Sequence, residues 1–294
     1  MPVGVFVQTM VDGIMLGGVL SLAAAGFSLI FGVMSVVSLA HGAMVVIGAY
    51  LAYTSWSLMG IDPLFMIPCI MLVMFVFGYC IQRTIIQWAV ERSSLVASLL
   101  VTFGLALVLR NTLDLIFSPD VRSVSPPYAF MNFGIGSISF DVVRLIGLAA
   151  SLCMLIFLAI LLNRTGFGRK IRATAQQPFA AEICGINVAH IHGLTYGVGT
   201  AFAGVAGVII GIVMPFSPNA EGHWTLNAFV VVVLGGVGSP TGALLGGLLL
   251  GLIETFTARF IGPSLTNAMM FLILVLMLLF RPQGILGHAF GESR

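Results

Sequence analysis

Between Asp12 and Asp62 the chain carries no charged residue, and this run decides most of what it can fold into. It is more than twice the roughly 20 apolar residues that cross a bilayer's hydrocarbon core, so it must turn back on itself. The run divides at SVVSLAHG, residues 35–42, which gives two spans at about 10–34 and 42–58. Further apolar runs place spans at about 64–82, 94–116, 143–162, 191–213 and 264–280. A further charge-free stretch, 226–253, is interrupted by GGVGSP at 235–240. Lipid-facing backbone must satisfy its own hydrogen bonds, and the outward alternation of a barrel strand is absent, so these runs read as helices. With 59% hydrophobic residues, 7% charged and a mean hydropathy of +1.13, a soluble core is excluded. The expected fold is an all-α polytopic membrane protein. It is one transmembrane domain over 1–294, a compact bundle of about eight helices.

The formal charge of +2 gives no reason to expect a nucleic-acid partner. The N-terminus has neither a basic stretch nor a small-residue cleavage site, so no removable signal peptide is expected. Cys69, Cys80, Cys153 and Cys184 are scattered without metal-ligand spacing. They read as small packing residues, and no metal site is expected. Residues 118–141 hold SPPY and NFGIG, turn chemistry that makes them an external loop capping the bundle.

Basic residues set the orientation. Arg83, Arg92, Arg164, Arg169, Lys170, Arg172, Arg281 and Arg294 fall on one side, and Arg110, Arg122, Arg144 and Arg259 on the other. The larger group belongs in the cytoplasm, with the C-terminus inside and the N-terminus outside. Parity then requires 226–258 to enter and leave on the outer side, as a broken, re-entrant glycine-rich hairpin.

Thirty-five glycines imply close helix packing. GxxxG spacing recurs at Gly13/Gly17, Gly193/Gly197, Gly207/Gly211, Gly242/Gly246 and Gly247/Gly251. Each pair suits contact within the chain or with another subunit. The LGGVGSPTGALLGG run at 234–247 is either a tight helical corner or unwound backbone facing a polar pathway.

The least oily segment is NRTGFGRKIRATAQQPFAAEICGI, 163–186, where Arg164, Arg169, Lys170 and Arg172 cluster; Lys170 is the only lysine of the chain. Gly166 and Gly168 should end the preceding span, with a short helix from Arg169 to Gln176. Pro178 should start a second helix, which Gly185 stops. Phe179, Ile183 and Ile186, at i, i+4 and i+7, share one face of it, with Glu182 on another. Such a helix could lie on lipid headgroups or fill a groove on a soluble partner.

Four blocks resemble the membrane-spanning permeases of ATP-binding-cassette importers for branched-chain amino acids, the H-type subunit. They are SLAAAGFSLIFG (21–32) leading into SLAHGAMVVIGAY (38–50), GRKIRATAQQP with AEICGINV (168–188), VLGGVGSPTGALLGGLLLGLIE (233–254), and RPQGILG (281–287). They cover nearly the whole chain. The resemblance implies a component: a second permease subunit, two cytoplasmic ATPases and an external binding protein would complete the importer. It makes 163–190 the cytoplasmic coupling segment, with Arg169, Lys170, Arg172, Pro178, Phe179, Glu182, Ile183 and Gly185 meeting an ATPase. The chain has no GxxxxGK[ST] loop, so ATP and magnesium would be held by the partner subunits. The family often has Asn at Ser38, an acidic residue at Ala43, and acidic residues at Gln177 and Phe179. Its relatives carry amides, urea or acids besides amino acids.

For the pathway, His41, Gly235, Gly236, Gly238, Ser239 and Thr241 are the candidates. Other ionisable residues suggest structural pairs, Arg110 with Asp114 at i, i+4 and Glu254 with Arg259. His190 and His192 read as interfacial. Asp12, Glu221, His223 and Trp224 belong to the outer mouth, where a binding protein could dock. No nucleophile–base pair, paired carboxylates or metal cluster suggests an enzyme. The rivals are an ion-coupled secondary transporter, for which no buried carboxylate stands out mid-span, and a passive channel.

Overall fold

The computed structural model describes residues 3–91, 95–135, 138–281 and 283–286. Arg92, Gly136, Pro282, Gly287 and Arg294, used in the reading above, lie outside the described residues. The described chain is 82% helical. Eight of its helices are long and apolar enough to cross a membrane, as the charge-free runs predict.

In chain order the helices are α1 (Val3–Met34), α2 (His41–Met59), α3 (Ile67–Ile81), α4 (Gln87–Glu91), α5 (Leu95–Phe117), α6 (Val142–Arg164), α7 (Gly166–Gln176), α8 (Pro178–Ile183), α9 (Val188–Val213), α10 (Glu221–Gly235), α11 (Pro240–Phe260) and α12 (Thr266–Phe280). A π-helical turn at Gln82–Ile86 joins α3 to α4. Inside it the buried Gln82 side chain donates to Gln87 Oε1 at 2.7 Å. At 1.5 Å per residue, α10, with 15 residues, reaches only about 22 Å. It falls short of a full crossing.

Two helices form the centre. The apolar window of α9 is 89% buried and that of α1 83%, against 11% for α12. Around α9 pack α1, α2 and α3, and α11 lies along α1. Lipid supplies no hydrophobic force between helices, so contact must come from close backbone approach. A Cβ on Gly13 would stand 2.9 Å from the Leu252 Cα, and one on Gly17 2.6 Å from the Leu248 Cα. Gly247 and Gly251 answer from α11 against Ser21 and Gly17. Gly193 and Gly197 pack on Tyr79 and Phe75 of α3, Gly207 and Gly211 on Val45 and Ala49 of α2, Gly242 and Gly246 on Gly235 and Val231 of α10. All five GxxxG pairs are thus engaged inside the chain.

The turn between α1 and α2 is deeper than the sequence suggests. Ser35 takes a left-handed φ of 52° and reverses the chain, and 36–40 then run back alongside α1. His41, the first residue of α2, donates from Nε2 to the Ala23 carbonyl at 2.8 Å. Ala23 lies about three turns before the end of α1, roughly 16 Å back at 5.4 Å per turn, so α2 begins at membrane depth. Bonds from Ser38 Oγ to Tyr196 Oη (3.0 Å) and from Thr102 Oγ1 to the Val37 carbonyl (3.1 Å) fasten the returning segment.

The loop at 118–141 contains the sheet that the turn-rich sequence did not announce. Strands β1 (Asn132–Ile135) and β2 (Ile138–Asp141) pair antiparallel, Asn132 opposite Asp141 and Phe133 opposite Phe140. Asp141 ends the hairpin and caps α6, accepting from Val143 N and Arg144 N. Gln8 on α1 grips the Ser139 backbone twice, at 2.8 Å each way. Tyr128 Oη donates to Asp62 Oδ1 at 2.6 Å. Burial, and then that carboxylate, push its phenol well above the ordinary value. Arg122 reaches the Tyr53 hydroxyl at 2.8 Å and pairs with Phe216 through the backbone. The four cysteines are free thiols and lie exposed; they are not interior packing residues.

Widening the α1–α11 seam should cost stability while a glycine in open space should not. Gly17→Val should lower stability by at least 1–3 kcal/mol, the usual cost of overpacking. Gly104→Ala on α5, where a Cβ meets nothing within 4 Å, should be neutral or gain about 0.5–1 kcal/mol of helix propensity. Thermal denaturation of the detergent-solubilised chain measures both.

Candidate functional site: the inner elbow and the glycine corner

At the C-terminal end of α6, Thr165 starts a new helix. Its Oγ1 accepts from Gly168 N at 3.0 Å, capping α7 one turn earlier than the sequence predicts. Gly166 is therefore the first helical residue of α7 and does not end α6. Gly168, Ile171 and Thr174 form the buried stripe of α7. Gly168 can be no larger, because a Cβ there would run into the Leu161 and Leu162 carbonyls. Arg169 and Lys170 are exposed. Arg172 turns inward, its Nη1 donating to the Leu162 carbonyl and to Asn163 Oδ1 at 3.4 Å. It satisfies a carbonyl at the end of α6 and locks the corner.

Gln177, in extended backbone, separates α7 from α8, and Pro178 stands at the first helical position. Ala181 is buried, while Phe179 and Ile183, one turn apart, are each 73% exposed. Glu182 is exposed beside them. Gly185 closes the helix at φ +80°, with Gly185 N donating to the Glu182 carbonyl and Ile186 N to that of Ala181. Ile186 lies past this stop and packs partly on the core. The exposed pair is therefore Phe179 and Ile183 without Ile186. Asn187 then caps α9, accepting from His190 N at 2.9 Å. A capped, two-helix elbow thus runs straight into the most buried helix of the protein.

The glycine break is a packed corner. Gly235, Gly236, Gly238 and Ser239 are buried and Thr241 is exposed. Gly236 and Gly238 take φ of 102° and 75°, backbone that favours glycine. Gly238 N donates to Ser28 Oγ at 3.0 Å. The last carbonyls of α10, on Leu234 and Gly235, accept from Ile285 N and Leu286 N at 2.9 and 3.2 Å. Ser239 caps α11, accepting from Gly242 N at 3.0 Å, and shares a 2.9 Å bond with Thr241 Oγ1. The freed backbone groups are thus met by protein, partly by Ile285 and Leu286 near the C-terminus. His41 sits elsewhere, fully buried, with its ring 5.3 Å from that of Phe27.

Several expected pairings do not form. Arg110 and Asp114 make no ion pair, and neither do Glu254 and Arg259; among the described residues the pair within 4.0 Å is Arg144–Asp141. Arg110 acts on Glu221 of α10, whereas Asp114 shares the surroundings of Tyr50 with Arg122. Glu254 is buried, its Oε1 without a partner, so a buried carboxylate does exist in a span. His190 is exposed and bonded to Tyr79 at 3.1 Å. His192 is buried with neither ring nitrogen partnered and is not interfacial. The sequence reading missed Thr225, which joins three elements: Gly42 N donates to its Oγ1 at 2.9 Å, near the Leu39 and Glu221 carbonyls. Thr225 sits in the mixed stretch EGHWTLN, 221–227, where nothing local singles out its hydroxyl.

Residues 9–280 match the family described as branched-chain amino acid transport system permease component. The chain belongs to that family. The high-affinity branched-chain amino acid transport system permease protein BraD of Pseudomonas aeruginosa is 30% identical over 96% of both chains. Its counterpart LivH of Escherichia coli K12 is 29% identical, again over 96% of each. A probable branched-chain amino acid transport permease of Methanocaldococcus jannaschii is 25% identical over 93% of this chain and 90% of that one. No solved structure matches. These relatives are transport permease subunits, and with eight helices among the described residues long and apolar enough to cross a membrane, this permease-family chain is a multi-pass membrane protein.

Arg172→Ala should free the α6–α7 corner. Losing a hydrogen bond from a charged donor should lower stability by about 1.5–3 kcal/mol and expose 163–176 to protease. Phe179→Ala should leave both thermal stability and the protease pattern unchanged.

Proposed function

We propose that this chain is the membrane-spanning subunit of an ATP-driven importer for branched-chain amino acids or a similar small polar solute. The carrying observation is the elbow: Phe179 and Ile183 project from a short capped helix whose other end continues into α9. A soluble protein offering an apolar groove would cover that pair, and Arg169, Lys170 and Glu182 would form its polar rim. The family's relatives support an ATPase as that partner. Two such ATPases, holding ATP and magnesium, would sit under this permease and a second permease subunit, with an external binding protein delivering the solute. The basic elbow would be cytoplasmic, with the C-terminus inside and the N-terminus outside.

In this mechanism ATP binding closes the ATPases and moves the elbow. Both its ends are capped, so the motion passes to α6 and α9 as rigid bodies, and the cavity changes from outward to inward exposure. ATP's differential affinity for the two states supplies the bias. His41 and the corner formed by Gly235, Gly236, Gly238, Ser239 and Thr241 would act as fixed pivots beside the pathway.

Phe179→Asp with Ile183→Asp should leave the permease folded, since both side chains are exposed, yet abolish co-purification of the ATPase and solute uptake. Retention of both activities would refute the coupling assignment. Glu254 favours a second reading, an ion-coupled transporter, because a buried, unpartnered carboxylate is the kind of group such proteins titrate. Uptake that survives ATP depletion but is lost in Glu254→Gln would select it.

A further inference from the structure

Hydrogen-bonding side chains at membrane depth face a protein partner or water, because lipid gives them no partner. One outer face of this chain carries several. On α5, Arg110 is half-buried, and the exposed Asn111 donates from Nδ2 to the Leu107 carbonyl of its own helix at 2.7 Å. Both stand about two turns before the helix ends at Phe117, some 10 Å inside that span at 1.5 Å per residue. Pro218–Ala220 pack against α5 and set the start of α10 beside it, where Glu221 interacts electrostatically with Arg110. The two opposite charges are near each other but form no ion pair within 4.0 Å.

Further along α10, His223 and Asn227 stand one turn apart, on the side of the helix away from Glu221. His223 is exposed, and its Nε2 meets Asn227 Nδ2 at 3.2 Å. Asn227 is only 2% exposed, and its Oδ1 has no partner. At Gly222, between Glu221 and His223, a Cβ would meet nothing within 4 Å, so the space in front of this turn is open. A separated cation and anion beside open space suit a small zwitterion.

We infer that the α5–α10 face lines the translocation pathway and receives the solute, Arg110 holding its carboxylate and Glu221 its ammonium group. The inference rests on the permease reading. It adds the residues that read the solute's two charges, and it sets the pathway on this face, apart from the satisfied glycine corner. Leu107 and Leu226, exposed on the same two helices, offer apolar surface to the side chain.

The test uses the assembled importer, with its four native cysteines replaced by serine. Asn111→Cys and Gly222→Cys should react with a membrane-impermeant methanethiosulfonate reagent added outside, and saturating leucine should slow that reaction several-fold. Reaction with lipid-soluble maleimide alone would place the face in lipid and overturn the site, as would labelling that leucine leaves unchanged. Arg110→Ala and Glu221→Gln should each reduce leucine uptake about 10- to 100-fold, the range that one hydrogen bond to a charged group supports. Arg110→Ala should also lose the ability to distinguish leucine from leucinamide as a competitor, which a purely structural lesion would not do. Normal uptake and discrimination in both variants would overturn this site and leave the permease reading standing. Failure of the unmutated importer to move any amino acid would overturn that reading and this inference with it.

Discussion

Backbone-to-backbone contact at glycine is the constraint on which this structure depends. Between helices in a bilayer the surroundings are as apolar as the side chains, so burial alone does not select neighbours. Distance does. Gly13 and Gly17 meet Gly251 and its neighbours on α11, and Gly26 meets Gly199 on α9. These contacts press α1 between the two helices and leave no room for a methyl group. The peripheral helices, α5, α6 and α12, are correspondingly less enclosed.

That packing determines how a push at the elbow would travel. The elbow is short and capped at Thr165, Gly185 and Asn187. Its inner stripe, through Ile171 and Thr174, is buried against the bundle. Little slack is left in which movement could be absorbed. The same rigidity explains why Arg172 is a structural clamp and why its neighbours Arg169 and Lys170 are left at the surface. One basic cluster in the sequence serves two purposes, because only one of its side chains can reach the open carbonyl at the end of α6.

Polar groups divide into those that fasten and those that do not. Ser28, Ser38, Thr225 and Tyr196 tie irregular backbone or neighbouring helices together. The backbone of Ile285 and Leu286 closes the last carbonyls of α10 in the same way. Arg110, Glu221, His223, Asn227 and Glu254 lie outside this fastening set. Interior groups of that kind are expensive to keep, which makes them the natural place to look for transport chemistry.

The spans, the break at 235–240, the elbow with its proline start and glycine stop, and the family were legible in the sequence. Apolar run length, turn chemistry and motif order are local properties that the chain carries on its own. The depth of the α1–α2 turn was not legible, nor was the hairpin at 132–141, the inward turn of Arg172 or the partner of Arg110. Each depends on which distant carbonyl, carboxylate or strand lies within about 3–10 Å, the range over which hydrogen bonds and charges act. Periodicity places a residue on a helix face, but the neighbouring helix decides what that face meets. Tertiary packing therefore set Arg110 to act on Glu221 of α10 in place of the expected Asp114, and gave the freed backbone of the glycine corner its protein partners.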